Sequence, residues 1–130
     1  MINTLDIGKY IYNKLSADST LTQMGVHIYP LIADNDAKFP FIIYKRTGLS
    51  SSICKDGTYE DIVTMEIKVV TDKYSVGIQI ANIIRSLLQK PFARYGDMEI
   101  SDVSIDFAGE DFIENAFIQT MQLNLKINEY

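Results

Sequence analysis

The most constraining feature of the sequence is a strict two-residue alternation between Val63 and Val69. Apolar residues alternate with polar ones through this segment: Val63, Met65, Ile67 and Val69 against Thr64, Glu66 and Lys68. Successive side chains of a β-strand point to opposite faces, so this period predicts a strand with one apolar and one polar face. The segment from Phe117 to Ile127 has a similar alternation and predicts a second such strand. An apolar sheet face needs a second layer to bury it.

Three segments have the patterns of helices. We predict helices over Leu5 to Leu15, Ser19 to Met24, and from Thr71–Ser75 to about Gln89. The first has an apolar stripe at helical spacing: Gly8, Ile11, Tyr12 and Leu15. The last has a broader apolar arc: Gly77, Ile80, Ala81, Ile84, Leu87 and Leu88. We expect this arc, at Ile80, Ile84 and Leu87, to cover the alternating strand.

Further short segments favour strands joined by turns. Strands are predicted over His27–Tyr29, Phe41–Thr47 and Met98–Phe107, the last with a bulge because its parity switches. Polar loops are predicted at Ala33–Lys38 and Ala108–Asn115. The connections are of hairpin length, so the sheet should be largely antiparallel. The sequence therefore predicts one α+β domain over residues 1–130, a two-layer fold with two main helices on one face.

The stretch from Gly48 to Tyr59 is long and polar. It contains three consecutive serines and an Asp-Gly pair, and it predicts a mobile connection between two strands. One interpretation is an idle surface loop. The other is a segment that orders on a partner, with Ile53 and Tyr59 as anchors because they are the large apolar groups in a polar run.

Composition limits the classes of function. The chain has 47% hydrophobic and 22% charged residues and a formal net charge of −5. Gripping nucleic acid through its phosphates needs clustered Lys and Arg, which this balance does not favour. One cysteine allows no disulfide within the chain, as suits a reducing cytosol. Neither a signal peptide nor a membrane span is visible, so we expect a soluble protein.

Three segments, in order, resemble a known family. Residues 28–32 read Ile-Tyr-Pro-Leu-Ile, residues 39–46 read Phe-Pro-Phe-Ile-Ile-Tyr-Lys-Arg, and an alternating strand ends at Val69-Val70-Thr71-Asp72 before an Ile- and Ala-rich helix. This order is similar to that of tail-completion (tail-terminator) proteins of tailed bacteriophages and prophages. The likeness covers about residues 1–90, and the C-terminal hairpin matches only in kind.

The resemblance implies a small structural subunit related in fold to the lambda tail terminator. Such subunits form a hexameric ring that caps the tail tube and joins it to the head connector. The expected partners are therefore further copies of the chain, the tube and the connector, in the virion neck, after assembly in the bacterial host cytoplasm. DNA would pass the lumen without specific binding, since an acidic surface repels phosphates.

The sequence offers few groups for catalysis or metal binding. His27 and Cys54 have no nearby partners that would complete a base and nucleophile set. The carboxylates around Asn35 lack the remaining ligands of a calcium loop, and those of residues 110–114 are interpreted as a soluble hairpin end. We expect no enzyme, no cofactor and no metal site.

One further residue is a candidate for partner contact. Ile78 is predicted on the wet face of the last helix, where it is either an isolated exposed apolar residue or an interface residue. Two other functions remain open. One is a different phage neck or head-completion protein, and the other is a small-molecule-binding regulatory α+β domain.

Overall fold

The computed structural model describes residues 2–129 of the chain. A 3₁₀ turn over Thr4–Asp6 leads into the first helix. The helices are α1 (Ile7–Ser16), α2 (Ser19–Gln23) and α3 (Tyr74–Leu88). The strands are β1 (His27–Pro30), β2 (Phe41–Ile53), β3 (Tyr59–Thr71), β4 (Ala93–Tyr95), β5 (Met98–Ile113) and β6 (Ala116–Glu129).

All six described strands form one sheet in the order β1-β2-β3-β6-β5-β4. The fold is therefore mixed α and β, with strands dominant. Pairs β2–β3, β3–β6, β5–β6 and β4–β5 are antiparallel, in agreement with the prediction. The pair β1–β2 is parallel. Residues 31–40 between these two strands make this possible, because a parallel neighbour needs a connection that returns the chain to the same end of the sheet.

One hydrophobic core joins α1 and α3 to one face of β3 and β6. The alternating apolar residues of both strands are buried, as predicted: Val63, Met65, Ile67, Val69, Met121, Leu123, Leu125 and Ile127. In α3 the fully buried positions are Ile80, Ile84 and Leu88. Leu87, also predicted in this arc, is partly buried and packs against the same core.

In the first helix two of the predicted apolar positions are confirmed. Ile11 and Leu15 are fully buried, together with Ile7 at the same four-residue spacing, and Tyr10 is buried beside them. Tyr12, predicted in the apolar stripe, is 44% exposed, so that prediction was wrong. The buried face therefore turns towards Ile7 and Tyr10 and away from Tyr12.

The stretch from Gly48 to Tyr59 is not a long loop, which corrects the prediction. Strand β2 continues to Ile53, and only residues 54–58 turn before β3 begins. The ladder runs without a gap from Gly48 to the Ile53–Tyr59 pair, after a register shift next to Gly48. The ladder satisfies backbone groups whatever the side chains are, so serines with weak strand preference still form a strand here.

The acidic turn predicted at Ala108–Asn115 is also wrong in extent. Strand β5 pairs with β6 as far as Ile113–Ala116, and the turn is only Glu114-Asn115. Both turn residues have positive φ, 51° and 62°, as a tight two-residue hairpin requires. The predicted bulge is present as a register shift between Ile100 and Asp102, and a second shift lies between Ile105 and Phe107.

Candidate functional site

Ile53 and Tyr59 lie at the end of the β2–β3 hairpin. They pair across the two strands and are 67% and 40% exposed. The turn beyond them is ordered by Asp56, whose carboxylate accepts hydrogen bonds from the Thr58 amide (3.1 Å) and hydroxyl (2.7 Å). These bonds favour the charged form and lower the pKa of Asp56. The two predicted anchors are thus held at the tip of a structured hairpin.

Tyr59 also lines a groove between this hairpin and the N-terminal segment. The groove has a volume of about 420 Å³ and is lined largely by apolar side chains, among them Ile2, Leu5 and Leu49. Asp61 is buried at its base. Its two carboxylate oxygens accept hydrogen bonds from the hydroxyls of Thr4 and Ser51, each at 2.5 Å. This carboxylate therefore ties the start of the chain to both strands of the hairpin.

Ile78 lies elsewhere, in a second groove between α3 and the β5–β6 hairpin. Its side chain is half-buried, which corrects its predicted place on the wet face. The groove has a volume of about 410 Å³, and its lining includes Ala81, Ile105, Met121 and Arg85. The sequence-based prediction did not place β5 beside Ile78, because it ended that strand at Phe107, before the part that faces α3. The three candidate contact residues thus do not form one site.

Sequence analysis missed an aromatic cluster at the end of the β5–β6 hairpin. The ring of Phe117 lies 4.7 Å from that of Phe112 and 5.8 Å from that of Tyr74, at the start of α3. Phe112 and Ile113 are about half exposed, at 54% and 50%. The available signal was this apolar pair inside an acidic run, because large apolar residues are unusual in a solvated turn.

Glu110 connects the aromatic cluster to the start of α3 and to β6. Its carboxylate accepts hydrogen bonds from the Tyr74 hydroxyl (2.8 Å) and from the Gln119 side-chain amide (2.9 Å). The bonds from Gln119 and Tyr74 stabilise the charged form and lower the pKa of Glu110. The same contact raises the pKa of Tyr74, since its hydroxyl donates to an anion. Glu110 is therefore charged at neutral pH, and the hairpin end is anionic.

The two residues considered for catalysis lie far apart. His27 is exposed on β1 and pairs with Phe41, at the start of β2. Cys54 is exposed in the turn after the other end of β2. At about 3.3 Å per residue, the strand between them spans roughly 40 Å. His27 and Cys54 therefore do not belong to a common site.

Two kinds of feature are absent from residues 2–129. No group of three or more His, Cys, Asp or Glu side chains lies close enough to hold a metal ion. No helix in this part of the chain has the length and apolar content needed to cross a bilayer.

The sequence matches no known protein family and no curated protein. The resemblance to tail-completion proteins therefore rests on its short motifs. Solved structures give a fold-level match. A chain from the structure described as "Virion of native gene transfer agent (GTA) particle" has a TM-score of 0.77 and 12% sequence identity, and the match covers 91% of each chain. This protein has the fold of that virion chain over nearly its whole length.

Proposed function

We propose that this protein is a structural subunit of a phage or phage-like virion, which caps the tail tube and joins it to the head connector. The observation that carries the proposal is the shared fold with a chain of a gene transfer agent virion, at a TM-score of 0.77 over 91% of both chains.

The motifs that resemble tail-completion proteins support the finer assignment. Residues 28–30 are part of β1, and residues 41–46 begin β2, so the two motifs form the parallel pair at one margin of the sheet. The third motif ends β3 and leads into α3. The motifs thus correspond to β1, β2, β3 and the start of α3.

In the proposed assembly, six copies form a closed ring around the path of the DNA. Ring closure uses heterologous contacts, in which one surface of each copy meets a different surface of the next. The net charge of −5 disfavours phosphate binding, so DNA passes without being held. The subunit works by contact with its neighbours, without catalysis and without a cofactor.

Deletion of the gene from the phage or prophage genome tests this function. We expect the mutant lysate to contain filled heads and separate tails by negative-stain microscopy, with joined particles reduced at least about a hundredfold. Expression of the wild-type chain from a plasmid should restore joined particles. Normal joined particles in the mutant, or a loss of heads themselves, would contradict the proposed role.

A further inference from the structure

The end of the β5–β6 hairpin combines negative charge with exposed apolar surface. We call residues 110–115 the acidic tip. It contains three carboxylates, from Glu110, Asp111 and Glu114, and two exposed apolar side chains, Phe112 and Ile113. Among residues 2–129 no lysine or arginine forms an ion pair with these carboxylates. The tip thus presents uncompensated charge around an apolar pair.

The acidic tip is held in one conformation before any partner binds. Its two strands pair up to Ile113–Ala116, and the Phe112 ring packs against the Phe117 ring, with centroids 4.7 Å apart and planes inclined at 51°. The Tyr74 hydroxyl fixes Glu110 at 2.8 Å. A preformed element loses little conformational entropy on binding, which favours association.

A groove of the opposite character lies between the start of α1 and β2. We call it the basic groove, and its volume is about 380 Å³. Three cationic residues line it, Lys9, Lys45 and Arg46, against one lining carboxylate, Asp6. Lys9 forms an exposed ion pair with Asp6 at 3.6 Å, and Lys45 forms an ion pair with Glu66 at 3.8 Å. Leu5 and Leu31 also line the groove and are 65% and 68% exposed. The lining thus combines an excess of positive charge with exposed apolar side chains, and it complements the acidic tip in both respects.

Backbone contacts give the basic groove a fixed shape. The Leu31 amide donates to the Tyr44 carbonyl at 2.9 Å, with Leu31 at a φ of 66°. The guanidinium of Arg46 donates to the Leu5 carbonyl at 3.3 Å and forms no ion pair with a carboxylate of residues 2–129. A Cβ on Gly8 would lie 3.6 Å from the Tyr44 ring, so α1 approaches β2 closely here.

The two surfaces lie at opposite margins of the sheet. The basic groove is next to the β1–β2 margin, whereas residues 101–113 of β5 form the other margin, because β4 pairs only with residues 98–100. A tip cannot reach the groove of its own chain across the sheet. Contact between them therefore joins two copies. The copy that gives its tip keeps a free groove, and the copy that gives its groove keeps a free tip, so further copies can add at both ends.

We propose that the acidic tip of one copy docks in the basic groove of the next copy. Asp111 and Glu114 face Lys9 and Arg46, while Phe112 and Ile113 cover Leu5 and Leu31. This inference rests on the proposed function and deepens it, since it names the two surfaces of the subunit contact. Charge directs the encounter and fixes the register, and apolar burial stabilises the contact.

Disulfide trapping tests the contact in the purified protein. In a Cys54→Ser background, the pair Phe112→Cys and Leu31→Cys should give a ladder of dimers, trimers and larger species on non-reducing gels at about 1 mM protein under mild oxidation. Either cysteine alone should give dimers at most. The pair Ile53→Cys and Leu31→Cys is the matched control, because Ile53 is more exposed than Phe112 (67% against 54%) but lies outside the contact, and it should give no ladder.

Charge reversal gives an independent readout. Asp111→Lys with Glu114→Lys reverses the tip, and Lys9→Glu with Arg46→Glu reverses the groove. Each variant, carrying the cysteine pair, should lose at least about tenfold in ladder yield. An equal mixture of the tip variant and the groove variant should restore the ladder yield, because every contact between the two variants again joins opposite charges. A ladder insensitive to reversal, or no ladder in the parent pair, overturns the proposal.

The outcomes separate this contact from the proposed function. A ladder that is lost on charge reversal and restored in the mixture, in a protein absent from tails, would support the contact and contradict the tail role. A chain found at the tail end whose copies cross-link through other surfaces would support the tail role and contradict the contact. Trapping of the acidic tip by the tail-tube protein instead of by a second copy overturns the proposal as well.

Discussion

Replacement of Ile84 by alanine is expected to lower the free energy of unfolding by about 2–5 kcal/mol. Ile84 is fully buried at the centre of the α3 line that covers β3 and β6. Truncation removes its apolar contacts and leaves a cavity, since neighbours fixed in a helix and a sheet relax only in part. Urea unfolding followed by far-ultraviolet circular dichroism measures the change.

Asn82→Ala is the matched control for this prediction. It lies on the same helix but is exposed, so its effect should be within about 0.5 kcal/mol. A similarly small effect of Ile84→Ala would mean that α3 does not cover the sheet, and it would contradict the fold described here.

The second large effect is expected at the buried carboxylate of Asp61. Asp61→Ala should destabilise the protein by about 1–3 kcal/mol, because it leaves the buried Thr4 hydroxyl without its acceptor and frees Ser51. The N-terminal segment should also loosen. Amide exchange in residues 2–6 should become faster than in the wild-type protein, and this increase should be larger than any increase in α3. Hydrogen exchange by mass spectrometry measures this local effect.

Ser52→Ala provides the comparison on the same hairpin. Ser52 is exposed, and its hydroxyl makes only a 3.5 Å contact with the Glu60 carbonyl. Its replacement should leave stability and exchange nearly unchanged. Equal exchange rates in residues 2–6 for both variants would show that Asp61 does not anchor the N-terminal segment.

The elements that the sequence predicts well are those with a buried face. The alternation from Val63 to Val69 reflects a sheet face against a core, so strand and burial follow from one pattern. Helix α3 is equally clear, since Ile80, Ile84 and Leu88 are fully buried and Leu87 packs against the core. In each case the spacing of the apolar residues matches the face that the folded structure buries.

Exposed strands carry no such period, and there the predictions fail. Ser50, Ser51 and Ser52 pair with β3 through backbone hydrogen bonds, for which side-chain hydrophobicity gives no signal. The same holds for the acidic end of β5. Both hairpins were therefore predicted too short.

The candidate contact surfaces were missed for the same reason. The acidic tip belongs to an extended hairpin that was interpreted as a turn. The basic groove brings Lys9 of α1 next to Arg46 of β2, and their separation in sequence hides this proximity. Ile53 and Tyr59 were placed correctly as exposed apolar groups, but their role as partner contacts remains a prediction.

Cryo-electron microscopy of intact particles would show where this chain lies in the virion. We predict density for it as a closed ring of six copies at the head-proximal end of the tail tube, with DNA passing through its centre unattached. Density for the chain in the head shell or along the DNA, or a complete neck without it, would contradict the account.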